Sequence, residues 1–119
     1  MPHIVLEGPV DLGRFYSDYR QQQQQSGGEV LKLLDIFINR RTDTLLIEAL
    51  AVENGPPNRF FILAGTRGGK TTVRIYPGSD PEKTPGVKKL LAMVARQIKE
   101  HTPQARYGAT NIGDYLHVP

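Results

Sequence analysis

The stretch Glu29-Val30-Leu31-Lys32-Leu33-Leu34-Asp35-Ile36-Phe37-Ile38-Asn39-Arg40 decides how the chain is layered. Val30, Leu31, Leu34, Phe37 and Ile38 recur at i, i+1, i+4, i+7 and i+8, while Glu29, Lys32, Asp35 and Asn39 fall on the other side. A one-sided apolar stripe of this period predicts an amphipathic helix over residues 29–40. Arg40 and Arg41 stand at its C-terminal end, where cations complement the helix dipole.

Upstream, residues 3–7 read as a short strand closed by Gly8-Pro9. Residues 10–25 carry Val10, Leu12, Phe15, Tyr16 and Tyr19 at loose helical spacing, with Asp11 placed as a cap. The glutamines at 21–25 either continue that helix as a polar end or form a mobile surface loop, and Ser26-Gly27-Gly28 is a break. Downstream, residues 43–53 read as a strand, 54–58 as a turn and 59–65 as a strand. Residues 66–70 form a turn into a strand at 71–76, with Val73 and Ile75 on one face and Arg74 on the polar one. After a loop from 77 to 85, residues 86–101 give the best helix, striped by Val87, Leu90, Leu91, Val94 and Ile98 and stopped by Pro103. Residues 105–118, with Tyr107, Ile112, Tyr115 and Val118, read as a short strand and a closing segment.

The composition bounds the function. A chain of 119 residues is one domain, spanning residues 1–119, and can bury a core without staples. It has no cysteine, which excludes disulfides, thiolate metal sites and a cysteine nucleophile. A reducing cytosol fits, so a cytoplasmic protein is expected. No apolar run approaches a membrane span, and no cationic segment precedes an apolar one at the start, so neither a membrane nor a signal peptide is expected. Fifteen Lys+Arg against 12 Asp+Glu give a net charge of +3, which favours anionic partners in general; most of these charges are ordinary solvated surface.

Two glycine motifs are discounted. Residues 64–71, Ala-Gly-Thr-Arg-Gly-Gly-Lys-Thr, fit a loose phosphate-loop pattern, but such a loop must lead into a helix. Here Thr72-Val73-Arg74-Ile75-Tyr76-Pro77 follows, which is a strand, so a hairpin turn is the better reading. Gly65-Thr66-Arg67-Gly68 joins strands rather than the helices of a nucleic-acid clamp. Its basic tip keeps nucleic-acid binding as a third-ranked reading. His3, His101 and His117 are scattered, and no metal-ligand spacing or catalytic triad is present in the sequence.

The sharpest chemical signal is Pro2. Removal of Met1 would leave a secondary amine whose lone pair is fixed in direction by the ring. Burial and nearby cations lower an amine's pKa toward neutrality, which suits a general base. The chemistry served is proton abstraction beside a carbonyl, with an arginine holding a carboxylate or the enolate oxygen.

Met1-Pro2-His3-Ile4-Val5-Leu6-Glu7 resembles the start of the 5-carboxymethyl-2-hydroxymuconate isomerases of the tautomerase superfamily, which includes macrophage migration inhibitory factor. The tail from 105 to 119 is similar to the closing segment of small tautomerase-like proteins. The resemblance implies an α/β fold of two β-α-β units, with a four-stranded sheet and two helices on one face. It also implies a homotrimer, and Pro2 as the catalytic base. Arg40 and Arg41 are loose counterparts of the family's carboxylate-binding arginine, and Arg74 is a further candidate. The expected function is a cofactor-free and metal-free proton shuttle on an unsaturated keto or enol acid, its partner a small carboxylate-bearing substrate. The alternative is a catalytically silent trimer of the same fold.

Overall fold

The structure, a computed structural model, describes residues 1–116; His117 and Val118, considered above, lie outside the described residues. It contains β1 (His3–Glu7), α1 (Leu12–Asp18), β2 (Gln22–Ser26), β3 (Glu29–Ile38), β4 (Thr44–Glu53), β5 (Asn58–Arg67), β6 (Lys70–Ile75), α2 (Pro85–His101) and β7 (Arg106–Thr110), then a short 3₁₀ turn at Gly113–Tyr115. The strands form one seven-stranded sheet in the order β2-β3-β4-β5-β6-β1-β7, with every pairing antiparallel. The sheet curls into a half-barrel. This corrects the expected tautomerase fold, similar to that of macrophage migration inhibitory factor, because the described residues form seven strands paired antiparallel throughout rather than a four-stranded sheet built from two β-α-β units. The homotrimer, which only the resemblance implied, has no support in the structure.

The correction comes from residues 29–40, where Glu29–Ile38 form β3 instead of a helix. Leu31 and Leu33 are fully buried on the inner face of the sheet. Between Leu33 and Ile36 the register slips, since Leu33 pairs with Ala49 and Ile36 with Ile47. That extra residue is a β-bulge. It shifts the alternation by one, so Ile36 and Ile38 pack on the core and Phe37 turns outward. Without the shift, Asp35 and Phe37 would follow Leu33 to the inside. The Leu34 carbonyl at the bulge accepts from the Tyr19 hydroxyl at 2.8 Å. Burial, and then the neighbouring Asp35 charge, push that phenol up to about 12. The glutamine run was read as helix end or loop and is largely the edge strand β2.

The other elements follow the pattern of the sequence. Asp11 caps α1 by accepting from the Arg14 N–H at 3.0 Å. Gly68 and Gly69 both have positive φ, as the two-residue turn of a type I′ hairpin requires. α2 lies against β1, β3, β4 and β6, and Val87, Leu90, Leu91, Val94 and Ile98 are fully buried there. Ala49 and Ala51 of β4 and Ala64 of β5 keep the inner face low beneath it. The N-terminus of α2 is held from the sheet. Glu53 accepts from the Gly86 N–H at 2.8 Å and from the Thr84 hydroxyl at 2.6 Å, while the Thr84 oxygen caps the Val87 N–H. A carboxylate there satisfies free helix donors and meets the positive end of the dipole. Any Cβ at Gly86 would lie 2.6 Å from the Glu53 carboxyl carbon, so this approach needs glycine. No helix among the described residues is long and apolar enough to cross a membrane.

Candidate functional site

The outer face of the sheet carries the arrangement with chemical content. Strand alternation sends Ile47, Ile62, Val73 and Ile4 inward, so their neighbours point outward. The registers place Phe37 opposite Leu46, Leu46 opposite Leu63, Leu63 opposite Arg74, and Arg74 opposite His3. One row across five strands thus passes from apolar to cationic. At a strand spacing of roughly 4.8 Å, Phe37 and Arg74 are on the order of 14 Å apart.

Two adjoining depressions follow this row. A cavity of about 310 Å³ is lined by Phe37, Ile38, Leu46, Leu63 and Tyr76, with Asn39 and Thr44 at its margin. A groove of about 830 Å³ is lined by Arg41, Arg67 and Arg74, with Asp43, Thr44, Leu63, Gly65, Thr66 and Thr72. Thr44 and Leu63 belong to both. The floor of the groove is Gly65, paired with Thr44 on one side and Thr72 on the other. A Cβ at Gly65 would meet nothing closer than 3.9 Å, so the missing side chain leaves open space.

The groove is electropositive. Three arginines face one carboxylate, Asp43, which lies 3.5 Å from Arg41. Arg67 and Arg74 form no ion pair among the described residues. Asp43 is held by the turn that precedes β4. The Asn39 amide donates to its carboxylate at 2.7 Å, and the Asn39 carbonyl oxygen accepts from the Asp43 and Thr44 N–H groups at 3.1 Å each. The Asn39 hydrogen bond is the main cause that holds the Asp43 carboxyl below its usual range, with Thr44 and Arg41 adding to it. Thr42, in the same turn, has φ +58, an unfavourable value for a β-branched residue.

No protein-family model, curated protein or solved structure matches this chain. Its function is therefore read from the site itself.

Of the residues expected from sequence, Arg41 and Arg74 line one groove, and Arg40 is exposed outside it. Pro2 is buried, and its nitrogen is acylated by Met1. The Met1 carbonyl accepts from the Asn111 amide at 2.7 Å, and His3 Nδ1 lies 3.1 Å from the same oxygen. Tyr107 and Tyr115 are half-buried against the core, and burial pushes the Tyr107 phenol up. Arg67 was visible only as a basic hairpin tip. Leu46, Leu63 and Phe37 were missed as site residues because sheet registers, not sequence spacing, bring them together.

A second cleft, of about 800 Å³, opens beside α1 and includes Asp11, Arg14, Asp18, Glu100 and His101. Its imidazole is held between two elements. His101 Nε2 lies 3.0 Å from Asp18, Nδ1 is buried without a partner, and the ring packs edge-on against Phe15. The pair fastens α1 to the end of α2. Among the described residues, no cluster of ligating side chains could hold a metal ion.

Proposed function

We propose that this protein binds a small amphipathic anion, an aryl or alkyl carboxylate, on the outer face of its sheet. One observation carries the reading: the row Phe37, Leu46, Leu63, Arg74 sets an apolar cavity directly against a groove of three arginines. Leu63 and Arg74 are cross-strand neighbours, a separation suited to an apolar body and an attached carboxylate. Arginine favours carboxylates because its planar fork can donate two parallel hydrogen bonds. Binding of this kind needs neither a cofactor nor a metal.

Calorimetric titration with octanoate tests it, with the neutral octanamide as control. An exposed site of this size is expected to bind octanoate with a Kd on the order of 0.1 mM, near −5.5 kcal/mol. Arg74→Ala is expected to weaken it about tenfold, and added salt to weaken it further. Octanoate binding no tighter than octanamide, or indifferent to Arg67→Ala and Arg74→Ala, would sink the reading. Salt-sensitive retention on single-stranded nucleic acid without any response to octanoate would turn it toward a polyanion.

A second reading is proton transfer in a keto or enol acid by Pro2 after loss of Met1. A specific placement favours it: His3, which follows Pro2, is the cross-strand partner of Arg74, so the freed amine would lie one residue along the strand from the cationic end of the row. Intact mass reports on Met1, and ketonisation of phenylenolpyruvate by wild type against Pro2→Ala reports on the chemistry. Retained Met1, or equal rates, would leave binding alone.

A further inference from the structure

β2 is an edge strand without the devices that ordinarily close an edge. All five of its residues are exposed, and among the described residues its only sheet neighbour is β3. Natural edges are blunted by charge, proline or bulges. Gln22–Ser26 has no charge and no proline, and it pairs with β3 without a register shift. The opposite edge differs, since β7 opens with Arg106, contains Gly108 and pairs with β1 through a register shift.

The turn fixes which groups the edge offers. Ser26 pairs with Glu29 across Gly27-Gly28, and Gly27 has φ +58, as the first position of a type II′ turn requires. Residues flanking such a turn exchange both backbone hydrogen bonds, and bonded and non-bonded pairs then alternate. Ser26, Gln24 and Gln22 are therefore bonded to β3. Gln23 and Gln25 direct their N–H and C=O groups into the open edge.

We propose that this edge pairs antiparallel with β2 of a second copy of the chain, about a two-fold axis at Gln24. In that register Gln23 of each copy lies opposite Gln25 of the other. Within Gln22–Ser26 it is the register that pairs both outward residues. It joins the two sheets into one continuous sheet. A glutamine amide carries both donors and an acceptor, so glutamine opposite glutamine needs no second residue type. A two-fold axis would set like charges face to face on a charged edge, and this edge has none. At each end, exposed Arg20 comes opposite Gly28 of the other copy, next to its Glu29, so the flanking charges are opposite in sign. Glu29 is also paired with Lys89 at 3.1 Å.

Sedimentation velocity over a range of about 10 µM to 1 mM tests this, because a short edge with little apolar burial is expected to dimerise with a Kd on the order of 0.1 mM. Over the same range the Gln23 and Gln25 amides gain hydrogen-exchange protection, while Gln22 and Gln24 do not change. Gln23→Pro removes an outward N–H and spares the β2–β3 bonds, so it is expected to weaken dimerisation roughly tenfold or more. Gln25→Lys leaves the backbone unchanged and places cations near the axis, with the same expected direction. A chain still monomeric at the highest concentration overturns the proposal. A dimer that both variants leave intact also overturns it, by placing the contact on another surface. Assemblies larger than dimers do so too, since head-to-tail pairing of β2 with β7 would build them.

Discussion

The inner and outer faces of the sheet are drawn from the same strands, yet only the inner face is closed within the chain. Ile47, Ala49, Ile62, Ala64 and Val73 line the inner face beneath the helices and are fully buried. One position along, Leu46 and Leu63 stay half-buried and Phe37 is 49% exposed. An apolar residue in a strand therefore reports that it sits in a sheet, but not that it belongs to the core. The face covered by α2 sets stability. The other keeps its apolar surface available, next to Arg67 and Arg74, which form no ion pair among the described residues.

The sharpest way to break this division is to damage one face and watch the other. Leu90→Ala, from the fully buried stripe of α2, is expected to lower unfolding stability by about 3 kcal/mol in urea titration. Octanoate affinity of the folded protein should not change. A matching loss of affinity would mean that the two faces are coupled. Glu53→Ala removes the carboxylate that holds the start of α2 and is expected to cost about 2 kcal/mol, again without altering binding. The converse experiment is Gly65→Val. Its side chain would occupy the groove floor at a backbone with ordinary φ and no close neighbour. Octanoate binding should fall about tenfold, near 1.4 kcal/mol, with stability within about 0.5 kcal/mol of wild type.

Two smaller effects sharpen the comparison at the places that set the outer face. Tyr19 supports the bulge that turns Phe37 outward, and Tyr19→Phe is expected to cost about 1 kcal/mol at neutral pH. The sign with pH follows from its phenol. A folded-state pKa near 12, above the ordinary value of 10, gives stability that is complete below pH 10 and is lost as pH rises toward 12. The gap between wild type and Tyr19→Phe should therefore close in alkaline unfolding curves. Thr42→Asn, at the positive-φ position beside Arg41, is expected to raise stability by about 0.5 kcal/mol, because asparagine tolerates that backbone better. A decrease would show that the threonine hydroxyl, bonded to the Arg41 carbonyl, matters more than backbone strain.

Much of the fold was legible where alternation ran unbroken. Residues 71–76 gave both the strand and the outward placement of Arg74, and the stripe from Val87 to Ile98 gave α2. The error at 29–40 has a local cause. A bulge at Leu34 and Asp35 interrupts a period of two, and the resulting spacing of Val30, Leu31, Leu34, Phe37 and Ile38 imitates a helix. The glutamines of β2 carry no alternation at all, because both of their faces are wet. Arg41 and Arg74 were legible as candidates one by one. Their meeting with Arg67 was not, since it depends on a turn, two registers and a glycine floor.

The position of β1 has a consequence for how the chain assembles. It lies between β6 and β7, so His3–Glu7 pairs with residues roughly seventy and one hundred positions away, while β2 to β5 pair only with their sequence neighbours. Loop closure over such distances is slow compared with hairpin formation. The meander is thus expected to zip first, with β1 waiting as an unpaired apolar segment until both of its neighbours are in place. Cutting the chain after α2 would turn a central strand into a sticky border, which makes the last strand of the sheet the seal on the first.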